Sequence, residues 1–272
     1  MIAKIIDGKL IAKKVKAEIK AEVAGLIDDN KSTPHLVAII VGEDPASQTY
    51  VASKEKAARS VGITSSVYKY PTDISEEELL STINFINNDD EVGGLIVQLP
   101  LPDHINVNNV IDYINPEKDV DGFHPINVGK MVTGQPSFIS ATPAGVIELL
   151  KRYKIETEGK HCVVLGRSNI VGSPLSILMS KKTNPGNSTV TICHSKTEDL
   201  HSIVKQADIL ICAIGSPQFV KADMVKKGAV VIDVGIHRIP ADNEKGYTIV
   251  GDVDFEEVSR KSSFITPVPG GV

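Results

Sequence analysis

The sequence predicts an α/β protein of two domains, each with a mostly parallel sheet covered by helices. Three observations carry that reading. Short apolar, β-rich runs alternate with amphipathic stretches of helical period along most of the chain. The rhythm breaks between residues 100 and 143, where Pro, Asn, Asp and Gly accumulate and only short helical pieces fit. It restarts after Gly159. At 272 residues the chain accommodates two domains of ordinary size. A chain of this length buries roughly three quarters of its extended surface, so neither disulfides nor a structural metal are needed.

The elements follow in order. Residues 9–27 carry Leu10, Val15, Ile19, Val23 and Leu26 at helical spacing. Residues 35–41 (HLVAIIV) read as a buried strand, and Pro45 opens a helix to Val61. Residues 65–70 form a second strand. Ser75 is an N-cap, followed by Glu76, Glu77 and Glu78 where the helix dipole favours acids, and that helix runs to about Asn87. Residues 93–98 are a third strand. Beyond the irregular middle, Thr142-Pro143 starts a helix through Arg152. Strands are then expected at 160–165, 189–193, 209–213 and 230–234, with helices at 170–180 and 199–204. Strand-helix alternation of this kind builds parallel sheets. The expected division is residues 1–139, residues 140–266, and a terminal loop at 267–272.

Composition narrows the function. The formal net charge is −5, which calls for neither nucleic acid nor an anionic membrane as partner. Cys162, Cys193 and Cys212 lie inside apolar runs without metal-ligand spacing, so buried free thiols in a reducing compartment are expected, and no metal. No apolar run reaches the length of a membrane span, and MIAKIIDGKLIAKKV lacks a signal-peptide core. A soluble, cytoplasmic protein is the expectation.

The most informative segment is GKHCVVLGRSNIVGSP, residues 159–174. A buried strand ends at Gly166, a tight loop follows, and a helix starts near Val171-Gly172. Helix N-termini offer free N–H groups and partial positive charge to a phosphate. Gly166 permits the turn and Gly172 permits close helix-strand packing. The match to G-x-G-x-x-G is imperfect, because Ser168 stands at the second glycine, and an ordinary strand-to-helix turn would look similar. The next strand sharpens the reading. An NAD site places Asp or Glu at its end to hold the ribose 2′-hydroxyl. Here it ends in His194-Ser195-Lys196. With Arg167 nearby, these groups suit a 2′-phosphate, so the segment predicts a Rossmann-type domain that binds NADP. Solvated surface charges would leave the same pattern.

Three features of the first half are unusual. Tyr50 and Lys54 are four apart on one helix face. A partly desolvated Lys can act as a base, although a surface Lys beside a half-buried Tyr fits the spacing as well. Gln98 ends a buried strand, where α/β folds bind ligands, and Pro100 and Pro102 stiffen the loop after it. Asp121 precedes Gly122 in an irregular segment, where it can meet a ligand or hold a turn.

Together these segments resemble the bifunctional methylenetetrahydrofolate dehydrogenase/methenyltetrahydrofolate cyclohydrolase family. The resemblance spans the chain. It rests on VGEDPASQTYVASKEKAARSVGI (41–63), GGLIVQLPLP (93–102), INPEKDVDGFHPINVGK (114–130), GRSNIVGSP (166–174), VTICHSKT (190–197), ADILICAIGSP (207–217), VVIDVGI (230–236), GDVDF (251–255) and ITPVPGGV (265–272). It implies two α/β domains with an active-site cleft between them. It also implies oxidation of 5,10-methylenetetrahydrofolate by NADP, hydrolysis of the methenyl product to 10-formyltetrahydrofolate, and a homodimer. The one-carbon units so handled feed purine, methionine and histidine synthesis.

The resemblance also assigns residues. Tyr50 would stack on the folate ring, Lys54 would activate or position water, Gln98 would orient Lys54, and Asp121 would bind the pterin. Gly166, Arg167, Ser168, Ile170, Ser195 and Ile236 would hold the dinucleotide, with Arg167 and Ser195 at its 2′-phosphate. Thr266, Pro267, Pro269, Gly270 and Gly271 would close over the site. Two departures stand out. Ser140-Ala141-Thr142-Pro143 replaces the family's Pro-Cys-Thr-Pro, and the family's C-terminal helix would follow Val272, where this sequence stops. A monofunctional dehydrogenase would not need Lys54 and Gln98. A non-catalytic nucleotide sensor on the same fold would need neither these nor Asp121.

Overall fold

The computed structural model describes residues 3–29, 31–244 and 246–272. The chain runs β1 (Lys4–Ile5), α1 (Gly8–Asp28), β2 (His35–Val41), α2 (Pro45–Ser60), β3 (Thr64–Tyr70), α3 (Glu76–Asn87), β4 (Gly94–Val97), α4 (Val107–Tyr113), α5 (Pro125–Thr133) and α6 (Ala141–Arg152). It continues through β5 (His161–Leu165), α7 (Gly172–Ser180), β6 (Thr189–Cys193), α8 (Leu200–Val204), β7 (Ile209–Cys212), a 3-10 turn at Ala222–Met224, β8 (Val230–Asp233), β9 (His237–Pro240), β10 (Tyr247–Val250), α9 (Phe255–Ser259) and β11 (Phe264–Ile265). Among the described residues no helix is long and apolar enough to cross a membrane.

Two α/β units result: Lys13–Ile139, and Ser140–Val272 together with Met1–Ala12. The N-terminal strand is the difference from the expected division. β1 does not join the first sheet; it pairs in parallel with β11. Lys4 and Ile5 are too short a run to signal which sheet they complete.

The Lys13–Ile139 unit has a three-stranded parallel sheet in the order β3-β2-β4. Strand β2 is apolar on both faces because both are covered. Val37, Ile39 and Val41 join Leu79, Ile83 and Leu95 in one cluster, while Ala38 and Ile40 meet Val51 and Ile96 in another. Its helices start where local chemistry dictates. Asp44 Oδ2 accepts the Ser47 N–H at 2.7 Å with Pro45 opening α2, and Ser75 Oγ accepts the Glu78 N–H at 3.2 Å at α3.

The other unit has a six-stranded parallel sheet in the order β1-β11-β8-β7-β5-β6. Its first strand after Ser140, β5, is flanked by β6 on one side and β7 on the other. The order therefore reverses between β5 and β7, which is the switch point where doubly wound sheets bind ligands. The core carries Val163, Leu165, Leu210, Val231 and Ile265. Cys162, Cys193 and Cys212 are buried and unpaired, and burial pushes the Cys162 thiol up to about 12. The β9-β10 antiparallel hairpin and the short α9 and β11 were not expected from the sequence. Helix α7 starts at Gly172 instead of residue 170, because Ile170 and Val171 are drawn into the loop. The Ile170 carbonyl accepts from Ser140 Oγ at 2.8 Å, and the Val171 N–H goes to Ser168 Oγ at 3.2 Å.

Candidate active site

In the Lys13–Ile139 unit, three residues far apart in sequence converge. Helix α2 presents Lys54, Gln98 follows the last residue of β4, and the turn after Asp119 carries Asp121. Lys54 Nζ donates to Gln98 Oε1 at 3.3 Å and lies 3.8 Å from Asp121 Oδ1. The Gln98 amide is held in that orientation by its own Nε2, which donates to the Leu99 carbonyl at 2.7 Å. Its backbone N–H continues the sheet to the Ile39 carbonyl at 2.9 Å. Tyr50 sits one turn before Lys54 with its ring exposed. Burial pushes the Asp121 carboxyl above its ordinary range; the Lys54 charge opposes that shift and nearby Asp119 adds to it.

Sequence reasoning missed the groups that hold this turn. Asp119 is 2% exposed. Its carboxylate accepts the Phe123 N–H at 3.2 Å, the His124 N–H at 2.8 Å and Asn127 Nδ2 at 2.9 Å. Lys118 Nζ donates to the Ile86 and Asp89 carbonyls at 2.8 and 2.6 Å, satisfying the end of α3. Thus in Lys118-Asp119-Val120-Asp121, the first two residues anchor and Asp121 is left to face Lys54. No local signal separates the two aspartates, because the segment is a turn and strand alternation would place residues two apart on the same side. Val120 meanwhile packs where a Cβ at Gly94 would come within 2.6 Å of its Cγ1.

In the other unit a cavity of about 440 Å³ opens at the carboxyl ends of β5, β6 and β7. Gly166, Arg167 and Ser168 line it from the β5 loop, His194 and Ser195 from β6, and Ile214 and Ser216 from β7. Gly166 is required twice over: its φ is +111°, and a Cβ there would lie 2.1 Å from the Ala213 carbonyl oxygen. A Cβ at Gly172 would lie 2.1 Å from the Gly166 carbonyl oxygen. Ser168, at the second glycine of the motif, is a brace, because its Oγ accepts from Val171 and more weakly from Gly172. At the end of β6, His194 Nδ1 accepts the Lys196 N–H at 3.2 Å.

The remaining expected residues fall elsewhere. Ile170 and Ile236 are exposed and lie outside the walls of this cavity. Pro267 lines a second cavity of about 520 Å³ that also contains Asp233 and Val253. Thr266 is buried, and its Oγ1 accepts the Asp233 N–H at 2.7 Å. Gly270 has φ +105°, and its carbonyl accepts the Gly8 N–H at 2.9 Å. A Cβ on Gly8 would collide with the Gly271 carbonyl, and one on Gly271 would lie 2.5 Å from Thr266 Cβ.

Two family models match the chain. The catalytic domain of tetrahydrofolate dehydrogenase/cyclohydrolase covers residues 6–121, and the NAD(P)-binding domain of the same proteins covers residues 140–272. The bifunctional protein FolD of Bacteroides fragilis is 58% identical over 269 residues, 98% of this chain and 92% of that protein. FolD of Flavobacterium johnsoniae is 56% identical over 98% of this chain and 91% of its own length. Among solved structures, the FolD methylenetetrahydrofolate dehydrogenase/cyclohydrolase of Campylobacter jejuni aligns with a TM-score of 0.93 at 49% identity, covering 99% of this chain and 92% of that one. The Trypanosoma brucei enzyme complexed with NADP and an inhibitor aligns with a TM-score of 0.92 at 38% identity, covering 100% and 92%. The lysine, glutamine and aspartate cluster and the glycine-walled cavity at the sheet's switch point thus sit in a chain that belongs to the FolD family of bifunctional methylenetetrahydrofolate dehydrogenase/cyclohydrolases.

Proposed function

We propose that the Lys13–Ile139 unit binds the folate through Tyr50, Lys54, Gln98 and Asp121, and that the nucleotide enters the cavity at Gly166. The protein is a bifunctional enzyme. It oxidises 5,10-methylenetetrahydrofolate to the 5,10-methenyl cation with NADP and hydrolyses that cation to 10-formyltetrahydrofolate. The convergence of Lys54, Gln98 and Asp121 is the observation that carries the chemistry.

The residues fit the nucleotide. Gly166, Arg167 and Ser168 line the cavity, and neither Gly166 nor Gly172 behind them has room for a side chain. Arg167 and Ser195 supply a cation and a hydroxyl where an NAD site would carry an acid, which favours the 2′-phosphate. When bound, the nicotinamide accepts the hydride and thereby carries the redox chemistry. Ile170, Ile236, Pro267, Gly270 and Gly271 belong to the proposed binding surface as secondary contacts and as the closing loop.

For hydrolysis, Gln98 accepts from one of the three Lys54 donors and Asp121 stands opposite its charge, which leaves Lys54 a donor for water. Lys54 orients that water toward the methenyl carbon and relays its proton. Oxygen bonds to the carbon, the carbon–N5 bond breaks, N5 is left protonated, and one proton is released to solvent. Asp121 accepts from the pterin's amino and ring N–H groups, fixing the ring for both steps. A homodimer formed through an unpaired edge of the six-stranded sheet, a cytoplasmic location, and supply of purine, methionine and histidine synthesis complete the proposal.

One assay tests the reading. Methylenetetrahydrofolate with NADP should give NADPH absorbance, followed by decay of the methenyl chromophore faster than in buffer. The same mixture with NAD should react more slowly. Absence of NADPH formation would remove the dehydrogenase assignment.

A further inference from the structure

Outside the cluster and the cavity walls, the densest polar feature is a pair of buried carboxylates, Asp233 at the end of β8 and Asp252 after β10. They are 3% and 0% exposed. Two glycines make room for them. A Cβ on Gly235 would come 2.4 Å from Asp252 Oδ1, and one on Gly251 would clash with Asp233 Oδ2. Neither carboxylate enters the chemistry proposed above.

The partners of Asp252 define what it does. Its Oδ2 accepts the Ile214 N–H at 2.8 Å and the Gly215 N–H at 3.2 Å, and its Oδ1 accepts the Ser216 N–H at 2.9 Å. Three consecutive backbone donors at the end of β7 thus converge on one side chain. Such a run of N–H groups is an anion-binding nest. Here the anion is the protein's own carboxylate, so these donors are not available to a bound phosphate. The fourth partner is His237 Nε2, 2.8 Å from Oδ1. His237 follows Ile236 directly, so one carboxylate ties the β7 turn to the segment after β8. Asp233 holds the same region from behind. It accepts the N–H groups of Gly235, Asp252 and Val253 at 3.0, 2.9 and 2.9 Å.

We infer that Asp252, supported by His237, is a positioning residue of the nucleotide site. Its carboxylate sets the Ile214–Gly215–Ser216 turn so that Ile214 and Ser216 form the β7 wall of the cavity. This rests on reading that cavity as the NADP site. Without the carboxylate the three N–H groups lose their shared acceptor and the turn is free to rearrange. The effect falls on binding of the dinucleotide, because Asp252 lies behind the wall and touches no reacting atom.

The test compares Asp252→Asn, Asp252→Ala and His237→Ala with the wild type. NADPH affinity is read by fluorescence, and KM and kcat for NADP are read in the dehydrogenase assay. Asn keeps one carbonyl acceptor, so it should weaken NADPH binding about tenfold, and Ala should weaken it further, in line with the loss of buried hydrogen bonds. His237→Ala should weaken it by a few-fold. KM for NADP should rise in the same order while kcat at saturating NADP stays within about threefold, a split that general loosening of the fold would not produce. Unchanged affinity in folded Asp252→Asn, or a fall in kcat with KM unmoved, overturns the inference. If the Asp252 variants do not fold, unchanged affinity in His237→Ala overturns it instead. Failure of the wild type itself to bind NADPH would reject the nucleotide reading of the cavity, which is a separate outcome.

Discussion

Lys54 Nζ lies 3.8 Å from Asp121 Oδ1, with the lysine side chain 36% exposed and the aspartate 17%. The more exposed partner is the one open to water, which is in keeping with the proposed roles of Lys54 in proton handling and Asp121 in substrate anchoring.

Replacing Lys54 with Met keeps an unbranched side chain one atom shorter and removes its donors. Hydrolysis of the methenyl substrate should fall by at least about 100-fold, the usual worth of a positioned acid-base group. The thermal midpoint should change little, because the lost ion pair is partly exposed. Methenyl decay followed by absorbance decides this. A variant that hydrolyses at the wild-type rate would leave Lys54 without its proposed role.

Asp121 gives an acid-side pH dependence. Burial raises its pKa, with Lys54 opposing and Asp119 adding to the rise, so it takes up a proton at a higher pH than an ordinary carboxylate. A protonated carboxyl accepts fewer hydrogen bonds from the pterin. KM for the folate should therefore rise as the pH is lowered. In Asp121→Asn, KM should be high throughout and lack that limb. Parallel KM profiles in the two proteins would contradict the assignment.

Gly166→Ala puts a methyl 2.1 Å from the Ala213 carbonyl oxygen at a φ of +111°. Both the contact and the backbone conformation oppose it, at a cost on the order of 1–3 kcal/mol for the conformation alone. Stability should drop, and NADPH binding should be lost in whatever protein remains folded. Urea denaturation and fluorescence titration read the two effects. Wild-type affinity with wild-type stability would show that the β5 turn does not need glycine.

Asp233 predicts a pH dependence of stability with a definite sign. Burial raises its pKa from 3.8 to about 6, against the three backbone N–H groups that favour its ionised form. Between those values the folded chain holds a proton that the unfolded chain has lost. The stability contributed by the neutral acid is complete below 3.8 and is lost as the pH rises through about 6. The shift corresponds to on the order of 3 kcal/mol. Asp233→Asn stays neutral at every pH and gives up only a fixed set of contacts. The stability gap in favour of the wild type should therefore shrink, or reverse, between pH 4 and about pH 7. Urea unfolding of both proteins across that range measures it, and a constant gap would refute it.

The elements that could be read from the chain are those whose cause is local. Strand β2 declares itself by an unbroken apolar run, α3 by Ser75 and the three acids after it, and the β5 turn by Gly166 and Gly172. The missing acid after β6 is equally local, since position 194 onward simply reads His-Ser-Lys. Where local signals were weak, the reading failed. Strands β1 and β11 are two residues each and acquire their state only by pairing, β1 with β11 and β11 also with β8.

The chain's own local chemistry determined that it alternates strand and helix, that it has a glycine turn fit for phosphate, and that it carries Lys54, Gln98 and Asp121 at suggestive positions. Only the tertiary structure decided that those three meet, that Lys118 and Asp119 are anchors, and that Asp252 fills a nest of N–H groups on another strand. The reason is range. Periodicity and caps act over a few residues, where sequence order is spatial order. The Lys54–Gln98 bond spans 44 positions and the Asp252–Ser216 bond spans 36. What an aspartate does at such distances depends on which backbone donors the sheet brings to it, and no neighbouring residue records that.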